Sequence, residues 1–433
     1  MRTIDLRGRP WTTAELLTIV PRATSARSEA LQVAAEVVAD VRTRGEQSLR
    51  DQADRFDGVT GHAIRVPATH LDEAVATLDP VVRDALVEAI RRVREASAAQ
   101  VPAASITEIG PGARITQRWQ PVTRAGVYVP GGKAVYPSSV VMNVVAAQVA
   151  GVHEVTIASP PQRDCAGRVH PTILAAAGLL DVDEVYAMGG AGAVGALAHG
   201  VPGIGLTPVD VVTGPGNNFV AAAKRAVAGV VGIDSEAGAT EILIVADDTA
   251  DARYVAVDLV SQAEHDEQAG AVLVTPSPAL AERVGAEVQR AAATTRHRDR
   301  IAAALAGPQS AIVLVDDLTA AEAFSNAYAP EHLELHIADA AEAAPRYVNA
   351  GALFLGAHSP VSLGDYLAGS NHVLPTGGQA RYAPGLGAHT FLRPQQVVEY
   401  DRPALQSVAA DIEALAQAEA LPAHGEAVQA RFS

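Results

Sequence analysis

Short apolar segments alternate with helical segments twice along this chain, and that alternation restricts the possible folds more than any other feature. The first series predicts strands, each followed by a turn and a helix, at 126–130, 153–158, 183–188 and 210–213. A second series predicts strands at 241–246, 271–275, 311–315, 332–336 and 352–355. Strands separated by helices pair in parallel, because the crossover helix returns the chain to the same edge of the sheet. The sequence therefore predicts an α/β protein with two separate parallel sheets.

Helical spacing and glycine content predict the segments that flank these two series. Apolar residues recur every three or four positions between 27 and 100, which predicts one helix ending before Gly58 and a second over 70–97. After Leu374 the chain is rich in glycine and proline, and a last helix is predicted over 403–418, followed by a short tail. We expect a helical N-terminal segment and a C-terminal arm around the two sheets.

Charge and apolar length exclude several classes of partner. A net charge of −16 repels a phosphate backbone, so a nucleic-acid partner is not expected, and an anionic cofactor has to be held by local backbone amides. The most apolar stretch, 140–152, is too short to span a bilayer, and the N-terminus lacks the apolar core of a signal peptide. With the single cysteine Cys165 no intrachain disulfide can form, and we expect a cytoplasmic protein without a membrane partner.

Two polar residues at the end of a predicted helix form the first candidate site. Gln262 and His265 are three positions apart, so their side chains project from the same side of the helix. Such a pair can supply two ligands to one metal ion. A solvated helix end is the alternative.

The segment AYAPEHLELH contains the second candidate site. Glu331 and His332 are adjacent, and at the start of a strand both can face one cleft, where a carboxylate and an imidazole can transfer protons. His332, Glu334 and His336 alternate on one face, which leaves a metal cluster open as a further interpretation. A solvated edge strand is the third.

Further possible ligands lie in the last seventy residues. Asp365 and His372 belong to a glycine-rich loop, where the alternative is an ordinary turn capped by Asp365 and Asn371, and His424 belongs to the tail. Together with Gln262 and His265, Asp365 and His424 offer a mixed set of nitrogen and oxygen donors, which suits zinc. The spacing leaves open whether these four residues meet.

Three glycine-rich turns are candidates for nucleotide binding. Gly190–Gly195 matches GxGxxG after a predicted strand, with Asp210 fifteen residues further on as the possible ribose-binding carboxylate. In a chain with 36 glycines, a chance match is the alternative. The turns at 129–133 and 213–218 also precede helices and expose amides to which a pyrophosphate could bind.

The order of these segments resembles the histidinol dehydrogenase family over nearly the whole chain. The matching pieces are GVYVPGG, GGAGAVGALAHG, TGPGNNFVAAAKR, GATEILIVAD, SQAEHD, YAPEHLEL, GDYLAGSNHVLPT and the tail residue His424. No single piece is specific, but their combination is.

The resemblance implies a role for each candidate residue. It implies that one zinc ion per subunit is bound by Gln262, His265, Asp365 and His424. It also implies that Glu331 and His332 are the catalytic acid–base pair. The implied substrate contacts are Thr240, His372 and Glu419, together with His332 and the four zinc ligands, and the implied NAD contacts are Tyr128, Gly192 and Asn217.

The resemblance further implies an intertwined homodimer with two incomplete Rossmann-like domains. The corresponding domains are an N-terminal arm over 1–26, a first α/β domain with the metal and catalytic residues, an NAD-binding domain over 129–239 and a C-terminal arm over 381–433. The first α/β domain combines 27–128 with 240–380. By this resemblance the arm crosses to the partner, so His424 completes the partner's site.

The sequence departs from the family pattern at two positions. The family usually has glutamine at the position of Gly192, where it contacts NAD, and its GPSE segment reads GATE here, with Thr240 in place of serine. The first change removes a side-chain contact. The second adds a methyl group that narrows the substrate pocket.

The reaction that the family resemblance implies is the oxidation of L-histidinol through L-histidinal to L-histidine with two NAD. Zinc positions the substrate, His332 accepts the alcohol proton, and Glu331 activates water for the aldehyde step. Cys165 lies in a polar loop and has no predicted catalytic role. Three alternatives stay open: a dehydrogenase of the same scaffold acting on another polar alcohol or diol, a zinc hydrolase with Glu331 as base, and a non-catalytic nucleotide- or metal-binding module.

Overall fold

The computed structural model describes residues 1–22, 27–131, 134–236 and 238–433. Its strands are β1 Arg2–Asp5, β2 Ser105–Gly110, β3 Ala113–Pro121, β4 Arg124–Tyr128, β5 Glu154–Ser159, β6 Glu184–Ala187, β7 Val211–Thr213, β8 Gly232–Ile233, β9 Glu241–Ala246, β10 Gly270–Thr275, β11 Ala311–Leu314, β12 His332–His336, β13 Ala352–Leu355 and β14 Leu392–Tyr400. Its helices are α1 Thr13–Ile19, α2 Arg27–Arg44, α3 Glu46–Gln52, α4 Ala68–Thr77, α5 Pro80–Ala98, α6 Pro137–Ala150, α7 Pro171–Leu179, α8 Gly190–His199, α9 Asn218–Val227, α10 Ala252–Ala263, α11 Pro278–Thr294, α12 Arg298–Ala306, α13 Leu318–Tyr328, α14 Ala340–Ala343, α15 Val361–Tyr366, α16 Arg402–Ala418 and α17 Pro422–Gln429.

Two parallel sheets form the centre of the molecule, which confirms the predicted α/β class. The five-stranded sheet has the order β6-β5-β4-β7-β8, and the six-stranded sheet has the order β1-β11-β10-β9-β12-β13. If β4 and β9 are each counted as strand 1, both sheets contain the order 3-2-1-4-5, which is the dinucleotide-binding order without its sixth strand. In the six-stranded sheet, β1 is added at the edge beside strand 3.

Most central strands are largely apolar, as is typical of strands covered by helices on both faces, and β12, with the sequence HLELH, is the exception. Every residue of Glu241–Ala246 and of Gly270–Thr275 is buried. The five-stranded sheet is covered by similarly apolar helices, and ten of the fourteen residues of α6 are buried. These layers exclude water from both sheets and fix the strand ends on which the site is built.

The first residues of the predicted N-terminal arm over 1–26 form the edge strand of the six-stranded sheet. Strand β1 pairs in parallel with β11, and Leu6 continues the ladder by donating its N–H to the Leu314 carbonyl at 2.9 Å. Helix α1 then begins with a capping box between Thr12 and Glu15 and packs against α13. Residues 23–26 lie outside the described part of the chain.

The helices over residues 27–98 pack against the five-stranded sheet. Helix α2 contacts α8 and α9, α4 contacts α7, and α5 contacts α6, while β4 is itself the central strand of that sheet. The predicted first domain groups 27–128 with 240–380, whereas in the structure the helices of this segment pack on the five-stranded sheet. The predicted helix over 70–97 is also two helices, since Asp79 caps a new helix that starts at Pro80.

A three-stranded antiparallel sheet, which the sequence pattern did not predict, precedes the C-terminal helices. Its order is β14-β3-β2, and β14 pairs with β3 from Leu392↔Pro121 to Tyr400↔Ala113. Most residues of β2 and β14 are exposed, so these strands lack the buried apolar run that marks the central strands. Helix α16 matches the predicted helix over 403–418, and the predicted tail forms helix α17.

The carboxyl edge of the five-stranded sheet faces the amino edge of the six-stranded sheet. Asn218, which follows β7, donates to Oε1 of Gln268, which precedes β10, at 3.2 Å. Asn371 donates to the Met142 carbonyl at 2.9 Å, and Ser139 Oγ lies 3.3 Å from His372 Nε2. The cleft between the sheets therefore joins a parallel-sheet edge suited to a nucleotide with the ends of β9 and β12. None of the helices in the described part of the chain is long and apolar enough to cross a membrane.

Candidate active site

Glu331 and His332 lie together at the amino end of β12. Both side chains are buried, and His332 Nδ1 is 3.6 Å from Glu331 Oε2. The strand lies between β9 and β13 with all five residues buried, so the edge-strand interpretation is wrong. Placement at the strand end lets the two adjacent side chains face one cleft, as predicted.

The surroundings of His332 fix which ring nitrogen carries the proton. Nδ1 lies 3.2 Å from the Glu241 carbonyl oxygen, and since a carbonyl can only accept, Nδ1–H is the donor. Burial lowers the pKa of His332, so the ring is neutral near pH 7. Its Nε2 is therefore an unprotonated acceptor, which is the form that a general base requires.

A hydrogen-bonded chain joins Gln262 to Glu331 through the hydroxyl of Thr240. Gln262 Nε2 donates to Thr240 Oγ1 at 2.7 Å, and that hydroxyl donates to Glu331 Oε2 at 2.6 Å. The backbone N–H of Glu241 donates to the same oxygen at 3.0 Å. Burial raises the pKa of Glu331 to about 8, although both hydrogen bonds lower it. The carboxyl group can therefore gain or lose a proton near neutral pH.

His265, Asp365 and His372 belong to the same electrostatic neighbourhood. Burial lowers the pKa values of His265 and His372, and the negative charge of Asp365 opposes that lowering in both. His372 Nδ1 lies 2.9 Å from the Asp365 carbonyl oxygen, and its Nε2 lies 3.3 Å from Ser139 Oγ. Ser139, at the start of α6, is a site neighbour that the sequence pattern did not single out.

Three of the four predicted metal ligands offer donor atoms of the kinds that zinc binds. Gln262 uses its amide N–H groups on Thr240, which leaves its carbonyl oxygen available. In the described part of the chain, neither the His265 ring nor the Asp365 carboxylate has a hydrogen-bond or ion-pair partner. A neutral imidazole, a free carboxylate and an amide oxygen form a mixed nitrogen and oxygen set.

A second group that could hold a metal ion lies further along β12. The donor atoms of Asp258, Glu334 and His336 all lie within 4.8 Å of one another. Glu334 and His336 of the predicted cluster therefore belong to this group. Its third member is Asp258 from α10 rather than His332. This group is separate from the predicted zinc ligands.

The C-terminal members of the predicted site are not brought to it within this chain. His424 lies on α17, Glu419 follows α16, and both are exposed. Within the described residues, no hydrogen bond or ion pair joins either side chain to another predicted site residue. One chain therefore assembles Thr240, Gln262, His265, Glu331, His332, Asp365 and His372, and leaves two predicted members on its surface.

The predicted NAD contacts lie at the carboxyl edge of the five-stranded sheet. Tyr128, the last residue of β4, accepts a hydrogen bond on its hydroxyl from Gly190 N–H at 3.2 Å. Asn217 is exposed, and its Oδ1 caps α9 by accepting from the N–H groups of Phe219 and Val220 at 3.0 and 3.1 Å. In the predicted turn at 129–133, Gly132 and Lys133 lie outside the described residues.

The space beside Gly192 is occupied by a side chain from the N-terminal helices. A Cβ at Gly192 would lie 2.1 Å from Oε1 of Gln52, so the Gln52 amide fills the position of the side chain missing here. Asp210 does not play the ribose-binding role of the GxGxxG interpretation. It precedes β7, and its carboxylate accepts from the N–H groups of Thr123 and Arg124 at the opposite edge of the sheet.

Within the described residues, no side-chain hydrogen bond joins Cys165 to a predicted site residue. It ends a 3₁₀ turn, Arg163–Cys165, and it is a free thiol whose pKa is raised by burial. A raised pKa disfavours the thiolate, which is the nucleophilic form.

Replacing Thr240 with valine should slow any reaction step in which Glu331 acts as a base, because it breaks the hydrogen-bonded chain from Gln262 to Glu331. In the wild type, the hydrogen bond from Thr240 lowers the pKa of Glu331. Without that bond the pKa of Glu331 rises further above about 8, so a smaller fraction of Glu331 is ionised at pH 7. We expect about tenfold slower oxidation at pH 7, with the pH profile displaced towards alkaline values. Thr240→Ser keeps the hydroxyl and is the matched control. Identical pH profiles for the two variants would contradict the assignment.

A neutral imidazole beside a titratable carboxyl group, in a cleft between two parallel sheets, defines an α/β enzyme that performs proton transfer. The family model described as histidinol dehydrogenase matches residues 20–432. Curated histidinol dehydrogenases of Leifsonia xyli and Thermobifida fusca are 66% and 57% identical, over 100% and 99% of this chain and 99% and 97% of theirs. The crystal structure of histidinol dehydrogenase from Elizabethkingia anophelis superimposes with a TM-score of 0.92 at 31% identity, covering 100% of this chain and 98% of that one. The chain therefore belongs to the histidinol dehydrogenase family, a family of oxidoreductases.

Proposed function

We propose that this protein oxidises L-histidinol through L-histidinal to L-histidine, with zinc as the metal and two NAD as electron acceptors. The observation that carries the proposal is His332, held as the neutral tautomer by the Glu241 carbonyl and adjacent to Glu331. Family membership over residues 20–432 supports the substrate. The activity belongs to histidine biosynthesis, and on that ground we propose a cytoplasmic location.

The zinc ion is proposed to be held by Gln262, His265 and Asp365, with His424 as the fourth ligand. Bound zinc supplies a cation that orients a substrate by its imidazole and amine nitrogens. Thr240 and His372 adjoin this set through Gln262 and the Asp365 carbonyl, so we assign them to substrate contact.

NAD is proposed to bind at the carboxyl edge of the five-stranded sheet, along Tyr128, Gly192 and Asn217. Bound NAD supplies a hydride acceptor for each of the two oxidation steps. We assign the amide contact beside Gly192 to Gln52, since its carboxamide fills that space. The proposed NAD-binding domain thus includes helices from residues 27–98 as well as residues 129–239.

The chain's own residues perform the proton transfers. His332 Nε2 accepts the proton of the substrate hydroxyl in the first oxidation, because Nδ1–H is already committed to Glu241. Glu331 in its ionised form takes a proton from a water molecule that hydrates the aldehyde. His332 then accepts the hydroxyl proton of that hydrate in the second oxidation. Each base returns its protons to solvent. Three protons are released in all, the two hydrides would pass to two NAD, and the oxygen of the added water remains in the product carboxylate.

We propose that the protein is an intertwined homodimer in which the C-terminal arm supplies His424 and Glu419 to the partner's site. Two observations support this arrangement. Both residues are exposed in one chain, and the arm also exposes large apolar side chains, with Leu415 65% and Leu421 44% exposed. Apolar surface of this kind is buried at an interface in most oligomers.

Mixing two inactive variants tests the arm exchange. A His424→Ala chain lacks the ligand in its arm, and a His332→Asn chain lacks the base in its core. If arms exchange, a mixed dimer contains one intact site, and random mixing restores activity to about a quarter of wild type. Mixed and unmixed samples of equal, negligible activity would contradict the shared site. Two copies of His332→Asn refolded together are the control.

The decisive assay of the proposed function is NADH formation from L-histidinol, with and without a metal chelator. We expect two NADH per histidinol, loss of activity after chelation and recovery on addition of zinc. A panel of polar alcohols and diols run in parallel distinguishes a different substrate on the same scaffold. Hydrolytic activity without NAD would favour a zinc hydrolase instead.

A further inference from the structure

Glu334 is a buried carboxylate that the proposed chemistry does not use. Its side chain is fully buried on β12, on the same face as His332 and His336, because side chains alternate along a strand. Oε2 lies 3.2 Å from His336 Nε2, and Oε1 accepts a hydrogen bond from the backbone N–H of Val361 at 2.8 Å. Glu334 thus joins the catalytic strand to the first residue of α15.

Helix α15 contains Asp365, and a second contact seats it against the same strand face. Phe354 on β13 approaches His332, with ring centroids 6.1 Å apart, and its ring occupies the space where a Cβ at Gly364 would lie, at 2.6 Å. Gly364 directly precedes Asp365. The helix is therefore fixed at its start by Glu334 and in its middle by Phe354.

We propose that Glu334 is a positioning residue that sets Asp365 relative to His332 by holding the start of α15 on the catalytic strand. The proposal rests on the proposed function, in which Asp365 is a zinc ligand. Within the described residues, Glu334 makes no hydrogen bond to a predicted zinc ligand, and its link to Asp365 runs through the Val361 N–H. Its negative charge also raises the pKa of His332, an effect that Glu334→Gln and Glu334→Leu remove alike. It differs from Glu331, which faces the cleft.

Two physical arguments support this role. A helix of six residues does not hold its direction by its own hydrogen bonds, so an external contact decides where it lies. The Val361 N–H belongs to a buried residue. If it loses its acceptor it is left unpaired, and the free-energy cost of an unpaired buried amide favours displacement of α15. Asp365, four residues later, would move with it.

The cluster of Asp258, Glu334 and His336 could instead bind a metal ion. Its members, however, already pair with each other and with Val361. Glu334 bonds to His336 and Val361, and His336 Nε2 lies 3.9 Å from Asp258 Oδ2. The positioning role requires no contact beyond these. Binding of a cation by this cluster is a separate outcome that the test below detects.

The test measures zinc affinity of the full-length protein by competition with a chromogenic chelator, independently of activity. Glu334→Gln keeps an oxygen that can accept from Val361, whereas Glu334→Leu does not. Val361→Pro removes the N–H donor together with the valine side chain and puts a ring carbon where that N–H meets Glu334. The position accepts proline because it opens a helix and Pro360 is already extended, with φ −68 and ψ 154. Val361→Ala is its matched control for lost packing.

We expect Glu334→Leu and Val361→Pro each to weaken zinc binding about 10–100-fold, as loss of an outer-sphere contact does. Glu334→Gln and Val361→Ala should stay close to wild type. The double variant Glu334→Leu/Val361→Pro should be no weaker than the worse single variant, because both remove one contact. The Glu334→Gln rescue and the Val361→Pro variant keep the test valid if Glu334→Leu folds poorly.

Wild-type zinc affinity in Glu334→Leu or Val361→Pro, with binding lost in Asp365→Asn, would overturn the positioning role and leave the proposed function intact. A wild-type protein that binds no zinc would instead contradict the proposed function. A second zinc equivalent that Asp258→Asn removes would show Glu334 to be a ligand, and would likewise overturn the proposal.

Discussion

Replacement of His332 with asparagine is expected to lower turnover of L-histidinol by about 10²–10⁴-fold, the usual contribution of a positioned general base. The asparagine amide can still donate to the Glu241 carbonyl, which His332 Nδ1–H does now at 3.2 Å. It has nothing at the position of Nε2. The loss should therefore fall on both oxidation steps, because the same nitrogen accepts the hydroxyl proton in each.

The comparison with His332→Gln separates base chemistry from packing. Glutamine reaches the position of Nε2 but has no basic nitrogen there, so it should be as inactive as asparagine. Zinc affinity and thermal unfolding should remain near wild type in both variants. Turnover within about tenfold of wild type in either variant would remove His332 from its assigned role.

Replacement of Glu331 with glutamine is expected to slow the aldehyde half-reaction by about 10²–10⁴-fold and the alcohol half-reaction far less. Glutamine is close in shape and can keep hydrogen bonds to Thr240 and the Glu241 N–H, but it cannot take a proton from water. In the wild type, burial raises the pKa of Glu331 to about 8, so the active carboxylate form grows as pH rises to that value. The aldehyde rate of wild type should rise with pH up to about 8, and that of Glu331→Gln should lack this dependence.

Single-turnover NADH formation from L-histidinol and from L-histidinal measures the two halves separately. Cys165→Ser should retain both rates, since Cys165 lies in a turn and has a raised pKa. Equal losses in both halves for Glu331→Gln would contradict its role in hydration. Loss of aldehyde oxidation in Cys165→Ser would assign that step to a thiolate.

Much of the fold could be predicted because most of its central strands are nearly continuous apolar runs. EILIVA and GAVLVT identify β9 and β10 directly, since each is covered on both faces and has a polar side chain only at one end. The antiparallel sheet was missed because β14 is mostly exposed and pairs with β3, which lies far from it in the sequence. Sequence spacing also does not reveal which sheet a helix covers, and the helices over 27–98 pack on the five-stranded sheet.

The same limit applies to the site. Glu331 and His332 could be proposed together because they are neighbours in the sequence. The predicted shared helix face of Gln262 and His265 is wrong, because α10 ends at Ala263 and His265 follows the helix. The family resemblance supplied Thr240 as a substrate contact, yet its bonds to Gln262 and Glu331 exist only once three separate segments meet. Gln52 beside Gly192, and Asp258 beside Glu334, are likewise products of packing between elements far apart in sequence.

The proposed catalytic pair, Glu331 and His332, lies at the amino end of β12, whereas ligands of α/β enzymes usually bind at the carboxyl ends of the strands. The opposite edge of the six-stranded sheet carries the loops that follow β9, β10, β11 and β12. These loops contain none of the proposed catalytic residues. Evolution can lengthen or recompose them while the reaction stays intact. Differences among species in surface recognition or heat tolerance should accumulate on that side of the protein.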